Sequence, residues 1–268
     1  MMFLRRLSLV AAATGVSAPM IRRGLREVTL GTLPPPERQR GHHLPGWLER
    51  AVLRGLAPDL VRQSIRNAQD AGVADKVKFQ LIDYRDVAGQ FDRITSVGMI
   101  EHVGAPHFGE YFAKTNELLA DDGIMLTHTI GRTGPPGTTD KWTRKYIFPG
   151  GYIPAMSELV SALERNRWEI ADIEVLRYHY AFTLAEWYRR TTLHEAEITA
   201  LYDTRLFRMW QFYLAGAEQS FHHGGMVNFH IQSVKRRSAV PMTRDYISAE
   251  AARLSALDEA PVWHLGGK

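Results

Sequence analysis

The chain contains no cysteine, which removes disulfides, thiolate metal sites and a cysteine nucleophile together and fits a reducing cytosol. It has no apolar run approaching the ~20 residues that a helix needs to cross a bilayer. It is therefore expected to be soluble, or peripheral at most. RNA-binding signatures, zinc-finger spacings and Arg/Lys stripes interleaved with aromatics are also lacking, so nucleic acid is not an expected partner. Net charge is small: 33 Lys+Arg against 29 Asp+Glu leave +4. A membrane surface or an anionic small molecule is the better basic-side partner. Without thiolate partners, His42-His43 and His222-His223 read as surface pairs, and no metal is expected.

What is present is a core-forming composition, 45% hydrophobic over 268 residues, enough for one α/β domain. The N-terminus, MMFLRRLSLVAAATGVSAP, joins Arg5-Arg6 to a short apolar run from Leu7 to Ala13. It has the parts of a secretory or twin-arginine signal, but the run is short for one. Residues 1–55 carry Pro34-Pro35-Pro36 and hold no sustained period, reading as an atypical, partly irregular segment. Regular patterning starts near Pro58. Strands are expected at Arg26–Leu30, Val77–Leu81, Phe91–Val97, Ile124–Ile130 and Val227–Gln232, and another from Glu169 to Tyr180. Helices are expected from about Leu60 to Gly72, with Leu60, Ile65 and Ala68 on its apolar face, and at Phe108–Leu119, Ser157–Arg167, Leu184–Arg190 and Asp203–Phe221. Asp121-Asp122-Gly123 reads as a turn, Gly131–Gly151 as a loop, and the tail from Val240 as polar and loosely packed. This alternation predicts a Rossmann-like α/β sheet, mostly parallel, with helices on both faces and ligands beyond the carboxyl ends of the strands.

Several strings stand in a telling order: Asp83-Tyr84-Arg85-Asp86, Phe91-Asp92-Arg93-Ile94, Ser96-Val97-Gly98-Met99-Ile100-Glu101-His102-Val103-Gly104, His128-Thr129-Ile130-Gly131, Ile147-Phe148-Pro149-Gly150-Gly151, His179-Tyr180 before Thr183-Leu184, and Trp210-Gln211-Phe212-Tyr213-Leu214. Together, over about Leu60 to Ile247, they resemble the cyclopropane-fatty-acid synthase and mycolic-acid cyclopropane synthase family of class I methyltransferases. The resemblance implies S-adenosylmethionine as methyl donor and, as substrate, the cis double bond of an unsaturated acyl chain on a membrane phospholipid. It implies a methyltransferase domain over 56–247, followed by a tail over 248–268. It also implies a cytoplasmic protein with peripheral contact at the inner membrane face, and leaves room for a homodimer.

An alkene is a poor nucleophile, so the sulfonium methyl must be held in line with it where water is excluded, and attack leaves a carbocation that must lose a proton. In the family a bound bicarbonate is the proposed base. The resemblance places its cage on Glu101, His128 and Tyr180, completed by the backbone of Ile130. Spacing adds that Glu101 and His128 follow or end successive strands and so can reach one crevice. Each residue also has a plainer reading: Glu101 as a solvated acid at a helix start, His128 as a satisfied core histidine, Tyr180 as a strand tyrosine with its hydroxyl at the rim. Trp210, Phe212, Tyr213 and Phe221 read as core packing before acyl-chain lining.

For the cofactor, the resemblance puts Tyr84 against adenine, with Asp83 accepting from its amine, and Val97 and Gly98 line the same crevice. The departure lies upstream. An acidic strand end and a glycine-rich turn should receive the methionine portion, yet Ala13-Thr14-Gly15-Val16 is the only candidate and offers one glycine. A misplaced start or shifted frame before about residue 55 is the expected cause, and weak cofactor binding the expected consequence. Two alternatives stay open: a small-amine methyltransferase of the same family, and a non-catalytic remnant.

Overall fold

The computed structural model describes residues 28–31, 61–70, 72, 74–75 and 77–255. The Ala13–Val16 turn, the twin arginine, His42-His43 and the end of the tail lie outside the described residues. The chain divides into two compact units, one holding the segments before Asp83 and after Ala239, the other running essentially from Asp83 to Ala239.

In the first unit, β1 (Val28–Gly31) pairs in parallel with β2 (Phe79–Ile82), from Val28 opposite Phe79 to Gly31 opposite Ile82. Parallel neighbours need a long crossover, and a helix over 61–70, α1, lies within it. The predicted strand at Arg26–Leu30 is thus present from Val28. The tail, read as loosely packed, forms a helix over Asp245–Ser255 whose side chains are mostly exposed.

The second unit is built on a four-stranded sheet. Its strands are β3 (Phe91–Val97), β4 (Leu119–Arg132), β5 (Glu169–Leu176) and β6 (Met226–Val234), in the order β3-β4-β6-β5. β3 and β4 are parallel, and β6 lies antiparallel between β4 and β5. Three of the four strands therefore share one direction. Between the strands run α2 (Ile100–Val103), α3 (Phe108–Leu118), α4 (Lys141–Tyr146), α5 (Met156–Arg165), α6 (His179–Leu193), α7 (Glu195–Leu201) and α8 (Thr204–His223). The helix at the tail is then α9.

Alternation decides what each strand offers. Odd-numbered side chains of β4 are buried along nearly its whole length, as period-2 geometry requires of a strand with one face on a core. On that face Met125, Phe229 and Ile231 join Phe108, Tyr111 and Phe112 of α3 and Leu159, Ala162 and Leu163 of α5 in one apolar cluster. The α3 residues recur at helical spacing and form its buried stripe. Trp168 closes the cluster, its indole N–H donating to the Phe112 carbonyl at 3.0 Å. Even-numbered residues of β4, among them His128 and Ile130, turn to the opposite face. Helices α6 and α8 contribute nothing to the cluster; they pack on each other, and α8 packs on β6.

Two sequence expectations change here. Strand β5 stops at Leu176, so Tyr180 sits in the first turn of α6 and not on a strand. Strand β4 begins at Leu119, before the turn read at Asp121-Asp122-Gly123. Its pairing with β3 jumps from Phe91↔Leu119 to Arg93↔Ile124, so the turn is an irregularity inside the strand.

Candidate active site

Strand β3 ends against β4 with Val97 opposite His128, and the Gly98 N–H donates to the His128 carbonyl at 3.0 Å, adding one last rung. Gly98 then leaves the sheet at φ +61, a left-handed conformation that glycine adopts without strain. Among the described residues nothing lies within 4 Å of where its Cβ would stand, so a ligand could approach this backbone closely.

The turn at Gly98 delivers Glu101 in the first turn of α2. Its side chain is buried, and its Oε1 accepts the Ile130 N–H at 2.8 Å, taking the place along the β4 edge that β3 has vacated. Oε2 is buried and has no hydrogen-bond partner among the described residues. Burial pushes the carboxyl up to about 7, against the opposing pull of its own backbone N–H, the Ile130 N–H and the Thr129 hydroxyl. Such a group can exchange a proton near neutrality.

Tyr180 lies within electrostatic range of this carboxylate: its phenol is raised to about 12, first by burial and second by the charge of Glu101. The Tyr180 ring packs edge-on against Trp187 at 5.7 Å and tilted against Phe221 at 5.2 Å. Tyr213, raised by burial and then by Tyr180, continues this wall and contacts Trp210 and Phe148. Of the four aromatics expected to pack in the core, Trp210 and Phe221 are buried, whereas Phe212 is exposed and meets Trp142 edge-on. His222 stacks on Tyr178, and its nearest acid is Glu218 at 3.8 Å, one turn away.

His128 stands two residues before Ile130 on the same face of β4. Its Nδ1 is 2.7 Å from Nε2 of His230, directly opposite on β6. Burial, helped by the neighbouring His230, holds His128 down at about 4, so it is neutral near pH 7. The structure thus brings Glu101 directly to the Ile130 backbone and into the range of Tyr180, while the close partner of His128 is a residue that periodicity did not single out.

The four residues expected at the cofactor fall into two settings. Asp83 caps the turn Tyr84–Asp86, accepting the Arg85 backbone N–H at 3.0 Å and its Nε at 2.9 Å, and pairs with the guanidinium. Tyr84 is buried in the apolar cluster with its ring edge-on to Tyr111 at 5.4 Å; burial, ahead of the nearby Glu110, raises it to about 12. Val97 and Gly98 stand at the open end of β3. An open cavity of about 300 Å³ lies between α3 and α5, lined by Ala105, Phe108, Ser157, Glu158, Ser161 and Arg165 and by none of the candidate residues.

Comparison with known proteins bears on this geometry. The profile of the family described as mycolic acid cyclopropane synthetase matches residues 56–231. The chain is 39% identical over 145 residues, 54% of its length, to the cyclopropane-fatty-acyl-phospholipid synthase of Escherichia coli. It is 34% identical over 206 residues, 69% of its length, to a tuberculostearic acid methyltransferase of Mycobacterium tuberculosis. These alignments span 38% and 48% of the two relatives, so the chain covers less than half of each. Among solved structures, a cyclopropane synthase from Mycobacterium tuberculosis superposes with a TM-score of 0.63 at 20% identity, covering 86% of this chain and 83% of that one. A mycolic acid cyclopropane synthase complexed with SAH and CTAB gives 0.62 at 21% identity, covering 79% of each. At such identities the structures establish the fold.

Proposed function

The chain belongs to the mycolic acid cyclopropane synthetase family, and from that premise we propose that it is an S-adenosylmethionine-dependent methyltransferase acting on the cis double bond of an unsaturated phospholipid acyl chain to form a cyclopropane. The observation that carries the reading is the buried Oε2 of Glu101, which has no hydrogen-bond partner among the described residues and whose charge reaches the Tyr180 phenol. A buried polar atom without a partner costs about 1–3 kcal/mol, which a small ligand bearing a hydroxyl would relieve. Bicarbonate has that chemistry, and its holders would be Glu101, His128 and Tyr180. The Ile130 N–H is engaged by Glu101, so the Ile130 backbone serves the site by fixing that carboxyl. The aromatic rings of Tyr180, Trp187, Tyr213 and Phe221 would exclude water from a bound chain and support an apolar substrate over a small polar amine.

S-adenosylmethionine, when bound, supplies the methyl group. Val97 and Gly98 would line its crevice, with Gly98 admitting close backbone approach; Tyr84 and Asp83 would serve the adenine end. Glu101, poised near neutrality, holds or passes the proton lost from the substrate. The family match covers most of the stretch we read as the methyltransferase domain, residues 56–247. The relatives include a probable fatty acid methyltransferase and a sphingolipid C9-methyltransferase as well as a cyclopropane-fatty-acyl-phospholipid synthase. A lipid is therefore the substrate class best supported, and contact with the membrane that carries it would be peripheral.

Mass spectrometry of membrane fatty acids from cells with and without the chain tests this. The expected result is a population of acyl chains heavier by one CH₂ that disappears with Glu101→Gln, while that variant keeps the wild-type circular dichroism. Unaltered fatty acids in cells making folded wild-type protein would overturn the proposal.

A further inference from the structure

One lateral row crosses all four strands of the larger unit: Val97 on β3, His128 on β4, His230 on β6 and Glu174 on β5 occupy matched positions. Residues matched across neighbouring strands point to the same face. Three of the four are joined side chain to side chain. His128 Nδ1 and His230 Nε2 are 2.7 Å apart, and His230 Nδ1 lies 3.2 Å from the Glu174 carboxylate. His128 and His230 are both half-buried, and the Glu174 side chain is more exposed, 50% against 29% for His230.

We propose that His230 and Glu174 are positioning residues that lock His128 as its Nδ1–H tautomer, leaving its other ring nitrogen, Nε2, as an acceptor. The argument is one of donors and acceptors. A carboxylate only accepts, so His230 must present Nδ1–H to Glu174. Neutral His230 then has a bare Nε2, and the 2.7 Å approach of His128 Nδ1 requires a proton on the His128 side. The opposite assignment would set the lone pair of His230 Nδ1 against a carboxylate. A carboxylate behind a histidine setting its tautomer is a recurrent device in catalysis. The depressed pKa of His128 is consistent with the neutral ring this requires.

The inference deepens the function proposed above, and its relevance to catalysis rests on that reading. If His128 offers a lone pair and not an N–H, a ligand meeting that nitrogen must bring its own proton. A hydrogen-bearing anion such as bicarbonate meets that demand, and a fully deprotonated oxyanion does not.

Long-range ¹H–¹⁵N correlation spectra of the full chain with ¹⁵N-histidine read the tautomers directly. They would be recorded near pH 8, above the ordinary histidine value of about 6.5, with His128 assigned by the signals lost in His128→Gln. The expected pattern is a protonated Nδ1 and a bare Nε2 on both His128 and His230. His230→Leu should release His128 to a mixture of tautomers. His230→Gln, whose amide oxygen accepts from Nδ1–H, should restore the wild-type pattern. A bare Nδ1 on His128 in the wild-type chain would overturn the proposal, as would a His230→Leu spectrum in which His128 is unchanged. The wild-type spectrum decides even if a variant fails to fold, and it needs no turnover. Loss of the enzymatic reading alone would leave the tautomer in place.

Discussion

At the scale of single residues, Glu101 carries the conflict between stability and chemistry. Its carboxyl is buried, so ionisation is penalised and the folded-state pKa rises from 4.5 to about 7, even though the Ile130 N–H donates to one oxygen and favours the charged form. Between those two values the folded state binds more protons than the unfolded chain, and stability falls as pH rises. The penalty is absent below about 4.5 and complete above about 7. A shift of this size corresponds to roughly 3 kcal/mol at alkaline pH. Glu101→Gln keeps an oxygen for the Ile130 N–H and never ionises. It should therefore be more stable than wild type at pH 8, by an amount approaching that figure, and gain little at pH 5. Urea unfolding at the two pH values measures this. An equal difference at both would show that the carboxyl is not desolvated as described. The gain should also shrink in bicarbonate, because a ligand bound to the folded state stabilises it by mass action.

At the scale of elements, the glycine ending the His128–Gly131 string has a packing reason. A Cβ on Gly131 would fall 2.1 Å from Cε2 of Phe229, a ring buried in the main cluster. Gly131→Ala should therefore cost roughly 1–3 kcal/mol, as overpacking of a core does. Gly134→Ala, where nothing lies within 4 Å, should stay within about 0.5 kcal/mol. Denaturant midpoints compare the two, and equal effects would refute the packing account. Strands β3 and β6 and helices α3, α5 and α8 were legible because each shows one clear period and a bounded length. The full extent of β4 was not. Asp121-Asp122-Gly123 has the composition of a turn, and only the register with β3 shows the strand resuming beyond it. Tyr180 was misplaced because Arg177-Tyr178-His179-Tyr180 alternates as a strand would, and two residues after Leu176 suffice to turn into α6. Residues Glu101, His128 and Tyr180 were reached through the family resemblance. His230 and Glu174 were not, because cross-strand pairing depends on a register that a single sequence does not display.

At the scale of the whole molecule, none of the helices among the described residues is long and apolar enough to cross a membrane, while Phe182, Leu193 and Phe212 expose most of their surface on α6 and α8. Peripheral contact aided by Arg and Lys side chains predicts that the chain pellets with anionic vesicles at low salt and is released at high salt; salt-independent pelleting would exclude the electrostatic part. Cofactor affinity is the harder question. The family match begins at residue 56, so it includes Asp83, Tyr84, Val97 and Gly98 but not the candidate turn at Ala13–Val16. The methionine carboxylate and ammonium are charged, and hydrogen bonds to charged groups contribute about 1.5–3 kcal/mol each. Losing two of them corresponds to two to four powers of ten in affinity. Isothermal titration of the chain with S-adenosylhomocysteine is therefore expected to give binding weaker than micromolar, with that affinity reduced further by Gly98→Val, whose side chain would enter the space beside that backbone and strain its φ of +61. Micromolar binding would show instead that residues 1–55 supply the missing donors, and Gly15→Val in that segment would then be the variant that abolishes it.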